Sequence, residues 1–171
     1  AVYNYSYDFL VEQAKGYVSK QDVDDFISNP DTKSLSSLCD AYELLLNIIQ
    51  DFNRYPNVIK FAERKTEIRS ILHDYDLQYI ATLSPDELLQ TFKKSFKFDK
   101  DMMWLRYTKG VVSGAKFMLG FKDFSEFKTT FDSFNVNDMT REAFALFLSK
   151  KIDNMGFAIA CNWLKELGYY Q

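Results

Sequence analysis

A short turn near the C-terminus carries the clearest chemistry in this sequence. The segment Asn154–Gly156 stands between two apolar helical patterns, and Asn and Gly both tolerate the positive φ of tight turns. We expect Gly156 to have a positive φ or to lie where a Cβ would clash with the facing helix. Backbone N–H groups at the start of the second helix would point outward, and a helix N-terminus binds phosphate well. The predicted phosphate-binding residues are Lys150, Lys151, Asn154, Met155, Gly156, Phe157 and Ala158.

A second group of candidate residues lies between residues 91 and 128. This stretch carries nine basic and four acidic side chains, whereas residues 1–55 carry four basic and nine acidic ones. Interleaved basic and aromatic side chains can hold a phosphate backbone and stack a base. The alternative is that the aromatic rings fill the core and the lysines are solvated; the rings are Phe92, Phe96, Phe98, Trp104 and Tyr107. The first interpretation predicts a basic patch of Lys93, Lys94, Lys97, Arg106 and Lys109.

The sequence lacks the residue patterns of the common catalytic and metal sites. His73 is the only histidine, and a lone histidine at a helix end more often interacts with the last carbonyl groups of the helix. There is no Gly-rich phosphate loop, no Cys/His metal spacing and no nucleophile with an evident histidine partner. We therefore predict no catalytic residue, no metal and no cofactor.

Two helices must position the turn. The apolar face of the first consists of Phe144, Leu146, Phe147, Leu148 and Ile152. Thr140 is expected to cap this helix without a full capping box, because Ala143 stands at the third position after it. The second helix is predicted over residues 157–167 and ends before Gly168. The expected hairpin spans residues 140–168.

This pattern resembles the helix-hairpin-helix of the DNA base-excision glycosylase superfamily. The hairpin of that family runs Leu-Pro-Gly-Val-Gly-x-x-Thr-Ala, and the matching positions here are Ile152, Asp153, Asn154, Met155, Gly156, Ile159 and Ala160. The resemblance is limited to the hairpin, and a plain corner between two core helices is the alternative. The resemblance implies that the partner of this chain is either nucleic acid or a protein that processes nucleic acid.

Departures from the family pattern argue against catalysis. Lyase-competent members carry a lysine two residues after the second hairpin Gly, and Ala158 cannot form a Schiff base. The catalytic aspartate of the family lies well beyond the turn, and the sequence ends at Gln171, before that position. Asp153 replaces the family's proline and places a negative charge where a phosphate would lie. We therefore expect neither glycosylase nor lyase activity.

The rest of the chain predicts an all-α fold, with a single domain over residues 1–171. About eight or nine helices are expected, because apolar residues recur at three- and four-residue spacing and no segment alternates long enough for a strand. Ser84 and Glu87 are expected to form a capping box, with Pro85 in the first turn. Gly110 and Gly114 predict close helix packing. The helices before the hairpin are expected over residues 8–18, 22–28, 35–52, 57–74, 84–96, 100–119 and 124–134.

Composition narrows the partners and the location. Two cysteines are too few for a disulfide scaffold and favour reduced thiols in the cytoplasm. No apolar run is long enough to cross a bilayer, so no membrane role is expected. A net charge of −3 makes the chain a poor general DNA binder and leaves room for one basic face. The sequence leaves the oligomeric state open.

Three functional hypotheses follow. The leading one is a non-catalytic, glycosylase-like module that binds nucleic acid or a nucleic-acid enzyme. In one form it is an inhibitor that a mobile element carries against a defence nuclease, as anti-CRISPR proteins are. The second hypothesis is a DNA glycosylase truncated before its catalytic aspartate. The third is an all-α protein-interaction scaffold without a nucleic-acid role, whose Phe-rich helices only fill a core.

Overall fold

The computed structural model describes residues 35–51, 57–99 and 101–169, together with Glu12 and Gln21. Regular secondary structure in these residues is entirely helical, which confirms the predicted all-α class. The described helices form one compact unit that spans Leu35–Tyr170. The helices predicted over 8–18 and 22–28 lie outside the described residues, and a single domain over the whole chain stays a prediction.

Eight α-helices and one short 3-10 helix follow one another in the described part of the chain. They are α1 (Leu38–Ile48), α2 (Phe61–Ile71), the 3-10 helix (His73–Tyr75), α3 (Leu77–Thr82), α4 (Pro85–Phe96), α5 (Asp101–Met118), α6 (Phe124–Phe134), α7 (Asp138–Lys151) and α8 (Phe157–Glu166). The prediction for α6 is confirmed at both ends. None of these helices is long and apolar enough to cross a membrane.

The helix predicted over 57–74 is shorter in the structure because both of its ends leave the helical region of the backbone. Lys60 precedes α2 with a φ of 56°. Beyond α2, His73 and Asp74 have φ values of 49° and 57°. The 3-10 helix replaces the end of the predicted helix, and α3, which follows it, was not predicted from the sequence.

Two predicted helix starts also differ. Asn137 caps α7: its side chain accepts a hydrogen bond from the Thr140 N–H, and the Thr140 hydroxyl accepts one from the Asn137 N–H. The predicted cap at Thr140 is therefore wrong, because asparagine is the stronger N-cap, and a capping box forms between Asn137 and Thr140. Ser84 precedes α4 but makes no capping hydrogen bond with its side chain, so the capping box expected with Glu87 is not formed.

Helix α5 organises the core and packs against α1, α3, α4 and α7. Its small residues permit this contact: a Cβ added to Gly114 would lie 2.8 Å from Cδ2 of Leu45 on α1. A Cβ added to Gly110 would lie 2.9 Å from Cδ1 of Ile49, which directly follows α1. The predicted close packing along this side of α5 is confirmed.

Aromatic packing fixes the last two helices to α6. The Phe131 ring centroid lies 4.0 Å from that of Phe127, 4.7 Å from Phe144 on α7 and 5.6 Å from Trp163 on α8. All three contacts are between buried rings in edge-to-face or tilted geometry. Such ring pairs stabilise the fold by more than their buried area alone provides. The helices on both sides of the candidate turn are therefore held firmly.

Candidate nucleic-acid interface

Residues 152–156 join α7 to α8 and form the candidate phosphate-binding turn. Asn154 has a φ of 62°, whereas Gly156 is the N-cap of α8 with a φ of −69° and a ψ of 165°. A Cβ added to Gly156 would meet no atom within 4 Å. Both expectations for Gly156 are therefore wrong, because Asn154 supplies the left-handed residue that reverses the chain.

Three contacts seat the turn on α5. The Asp153 N–H donates to Oγ of Ser113 over 2.8 Å, and the Asn154 side-chain amide donates to the Arg106 carbonyl. Gly110 lies beneath the turn, and a Cβ there would be 3.0 Å from the Asp153 carbonyl oxygen. The role of Ser113 was not predicted, although its position among the small residues of α5 was the available signal.

This seating brings two basic residues of α5 to the turn. Arg106 and Lys109 are exposed and lie on the same face of α5 as Ser113, because residues three and four apart share a helix face. The Ser113 hydroxyl also donates to the Lys109 carbonyl over 2.8 Å. Lys150 and Lys151 are exposed in the last turn of α7, which leads into the same turn. Four of the predicted basic residues thus lie on α5 and α7, and both of these helices contact the turn.

The other three residues of the predicted basic patch belong to the end of α4. Lys93 pairs with Asp101, with 2.6 Å between its Nζ and the carboxylate Oδ2. Lys94 is exposed in the last turn of α4, and Lys97 follows the helix with a φ of 48°. Of the five residues of the predicted basic patch, only Arg106 and Lys109 thus lie on α5, the helix that holds the turn.

The aromatic rings that alternate with the predicted basic patch lie in the core or pack against it. Phe92, Trp104 and Tyr107 are at most 2% exposed, so these three rings are not accessible for stacking on bases. Phe96 and Phe98 are half-buried and cover Trp104, with ring centroids 5.3 and 4.1 Å away. The rings therefore face inward, as the alternative interpretation has it, while the role of the lysines stays a prediction. The rings are buried or half-buried because each of them has at least one other aromatic ring within packing distance, which stabilises the inward arrangement.

The N-terminus of α8 is open to solvent. Gly156, Phe157 and Ala158 are exposed, and no side chain caps the helix. The first N–H groups of a helix have no acceptor within it, and the helix dipole favours an anion at this end. Met155 differs from its predicted role, because its side chain is buried and its N–H donates to the Ile152 carbonyl over 3.2 Å. It anchors the turn instead of facing a ligand.

The negative group closest in sequence to this helix start is Asp153. Its carboxylate is on an exposed residue, and its backbone is tied to α5 through the N–H described above. A carboxylate beside a bound phosphate lowers the affinity by like-charge repulsion. The lysines around the turn must therefore outweigh one negative charge.

The remaining candidates for chemistry are dispersed in the described residues. The His73 ring stacks on Tyr79 with 4.0 Å between the ring centroids. No three His, Cys, Asp or Glu side chains of this part of the chain come together as a metal site. A cavity of about 10 Å³, lined in part by Phe131, Arg141 and Tyr169, has room for about one water molecule. The turn is thus the best-defined candidate site.

Known protein families, curated proteins and solved structures give no match to this chain. The function must therefore be inferred from the geometry of the turn and its neighbouring charges. The resemblance of the turn to the glycosylase hairpin stays a prediction.

Proposed function

We propose that this chain is a non-catalytic, glycosylase-like helical module that binds the phosphate backbone of nucleic acid at the turn between α7 and α8. One observation carries the proposal: the turn is seated on α5, so that exposed Lys109, Lys150 and Lys151 lie on the helices next to the uncapped N-terminus of α8. Backbone N–H groups, the helix dipole and lysine side chains all favour a phosphate.

Such contacts fix the position of nucleic acid but read no bases, so the sequence dependence of binding is expected to be weak. The net charge of −3 and the nearby Asp153 limit the affinity. A dissociation constant on the order of 1–100 µM at moderate salt is the corresponding expectation. The proposal includes a cytoplasmic location, which the reduced thiols of Cys39 and Cys161 support.

Charge reversal beside the turn tests this proposal. We expect the double variant Lys109→Glu, Lys151→Glu to lose at least about tenfold in affinity for a short fluorescein-labelled DNA duplex, measured by fluorescence anisotropy. The affinity of the unchanged protein should also fall steeply between about 50 and 200 mM salt. Both side chains are exposed, so the melting temperature should fall only slightly, through the loss of the Lys151 contact with the Phe147 ring and of a basic residue in the last turn of α7.

Lys128→Glu is the matched control for Lys151→Glu. It makes the same change at an exposed lysine of α6, and therefore alters the net charge equally. The control should bind within about threefold of the unchanged protein, since only general electrostatics are affected. Equal losses in the single variants Lys151→Glu and Lys128→Glu, or no binding of the unchanged protein at low salt, would contradict the proposal.

The non-catalytic part of the proposal has its own assay. Duplexes that contain uracil, alkylated or oxidised bases should show no base release, with alkali treatment used to reveal abasic sites. Ala158 offers no amine for a lyase step. Turnover on any of these duplexes that disappears on Asp153→Asn would contradict the non-catalytic part of the proposal.

A further inference from the structure

A second face of α7 carries a line of exposed apolar side chains. Met139 is 82% exposed and Leu146 is 53% exposed. Ala143 lies between them on the same face and is also exposed, because the spacings are four and three residues. Phe147 borders this line. Contiguous apolar patches on a protein surface commonly mark an interaction site.

The opposite face of α7 is already used by the core. Phe144, Ala145 and Leu148 are buried there. A surface helix of a globular domain ordinarily has one apolar side, with polar residues opposite. Helix α7 has two apolar sides, so its outer side has the character of an interface.

Two opposite charges lie on this outer side at equal distances from Leu146. Glu142 stands four residues before it and Lys150 four residues after it, which is about 6 Å along the helix in each direction. Both side chains are exposed, and neither forms an ion pair within the part of the chain that the structure describes. The charge pattern is therefore symmetric in position and opposite in sign.

We propose that α7 pairs with α7 of a second copy of this chain, antiparallel and centred on Leu146. A twofold axis at this residue places Glu142 of each copy across from Lys150 of the other, with the two Leu146 side chains in contact. Twofold contacts require such a self-complementary surface. A nucleic acid would not suit this face, because Glu142 and the apolar line oppose a phosphate backbone.

One helix face is smaller than the ~800 Å² per partner of a typical stable interface, so the pairing is weak and concentration-dependent. We expect a dissociation constant of about 10 µM to 1 mM. Lys150 also belongs to the proposed phosphate-binding group. Pairing of two copies therefore competes with nucleic acid for the Lys150 side chain. Lys109 and Lys151 have no part in the proposed ion pairs.

Sedimentation equilibrium over this concentration range tests the pairing and its register. The unchanged protein should associate, whereas Glu142→Lys and Lys150→Glu should each be monomeric because like charges then face each other. An equimolar mixture of these two variants should associate again, since one carries two lysines and the other two glutamates at the paired positions. Leu146→Arg should be monomeric and still bind DNA, which separates this inference from the proposed function.

Lys128→Glu is the control, because it makes the same change on α6 and should associate like the unchanged protein. Three results would each overturn the pairing. They are a monomeric unchanged protein at the highest concentration, undiminished association of either single variant, and a mixture of the two variants that stays monomeric.

Discussion

One added methyl group at Gly110 would test how firmly the turn is seated on α5. The Cβ of an alanine there would lie 2.9 Å from Cδ1 of Ile49 and 3.0 Å from the Asp153 carbonyl oxygen. Rotation of the Ile49 side chain relieves the first contact. The second contact is with backbone, and the Asp153 N–H is itself bonded to Ser113 over 2.8 Å. The alanine Cβ would therefore clash with the Asp153 carbonyl group, which is backbone and cannot move away by changing a side-chain rotamer.

Gly114→Ala is the matched control. Its Cβ would lie 2.8 Å from Cδ2 of Leu45, which is the end of a flexible side chain. Both alanines gain about 1 kcal/mol of helix propensity, while overpacking costs about 1–3 kcal/mol. Subtracting this gain from the overpacking cost, we expect Gly110→Ala to lower the free energy of unfolding by up to about 2 kcal/mol. Gly114→Ala should change it by less than about 1 kcal/mol, because Leu45 can move.

Urea unfolding followed by tryptophan fluorescence measures both variants, since Trp104 and Trp163 are buried. The difference between the two free energies is the informative quantity, because the propensity gain is common to both. If Gly114→Ala destabilises the protein as much as Gly110→Ala or more, the turn carbonyl is not the rigid part of this contact.

Four further predictions concern the body of the fold, and the same urea unfolding measures them. Tyr42→Phe should lower the free energy of unfolding by about 1 kcal/mol, because the Tyr42 hydroxyl donates to the Val111 carbonyl over 2.8 Å. Tyr107→Phe should leave it unchanged or raise it, since the buried Tyr107 hydroxyl has no partner among the described residues; a loss as large as that of Tyr42→Phe would contradict this. Asn137→Ala should cost about 0.5–2 kcal/mol by removing the capping box of α7, and a cost near zero would mean that the box is not formed in solution. Stability should also fall above about pH 10, because burial raises the pKa of Tyr42 and Tyr107 in the folded protein, so that the unfolded chain loses its phenolic protons first. A flat profile from about pH 9 to 11 would contradict this sign.

Elements set by local spacing could be predicted from the sequence. Helix α6 has its predicted ends because Asp123 caps it locally, with its side chain accepting from the Glu126 N–H. The start of α4 was predictable from Pro85, which suits the first helical position. The cap of α7 was less clear, because Asn137 and Thr140 are both capping residues three positions apart. Only the structure shows that Asn137 is the N-cap, with its side chain accepting a hydrogen bond from the Thr140 N–H.

The turn shows where local reasoning stops. Asn154 and Gly156 both tolerate a positive φ, so the sequence alone does not decide which residue adopts it. The structure selects Asn154, whose side chain reaches the Arg106 carbonyl on α5. This contact joins residues 48 positions apart in the chain and depends on how the helices pack.

The candidate site was predictable in its parts but not in its assembly. The basic residues of α5 and the turn were separate predictions, and the Asp153–Ser113 hydrogen bond brings them together across 40 positions. The exposed outer face of α7 was hidden in the sequence, because Leu146 and Phe147 read as part of the same apolar face as buried Phe144. Helical spacing shows that apolar residues recur, but tertiary packing decides which side is covered.

Removing one N–H group from α8 tests phosphate binding most directly. Phe157 is the first residue of α8, where proline is tolerated because the N–H has no acceptor within the helix. Gly156 already has the extended conformation that a residue before proline adopts. Phe157→Ala is the control, since it removes the same ring and keeps the N–H.

We predict that Phe157→Pro binds a labelled duplex at low salt about tenfold more weakly than Phe157→Ala, with a melting temperature that is no lower. The magnitude follows because a hydrogen bond to a charged group contributes about 1.5–3 kcal/mol, and about 1.4 kcal/mol corresponds to a tenfold change. Equal affinities of the two variants would contradict the claim that the N-terminus of α8 holds a phosphate.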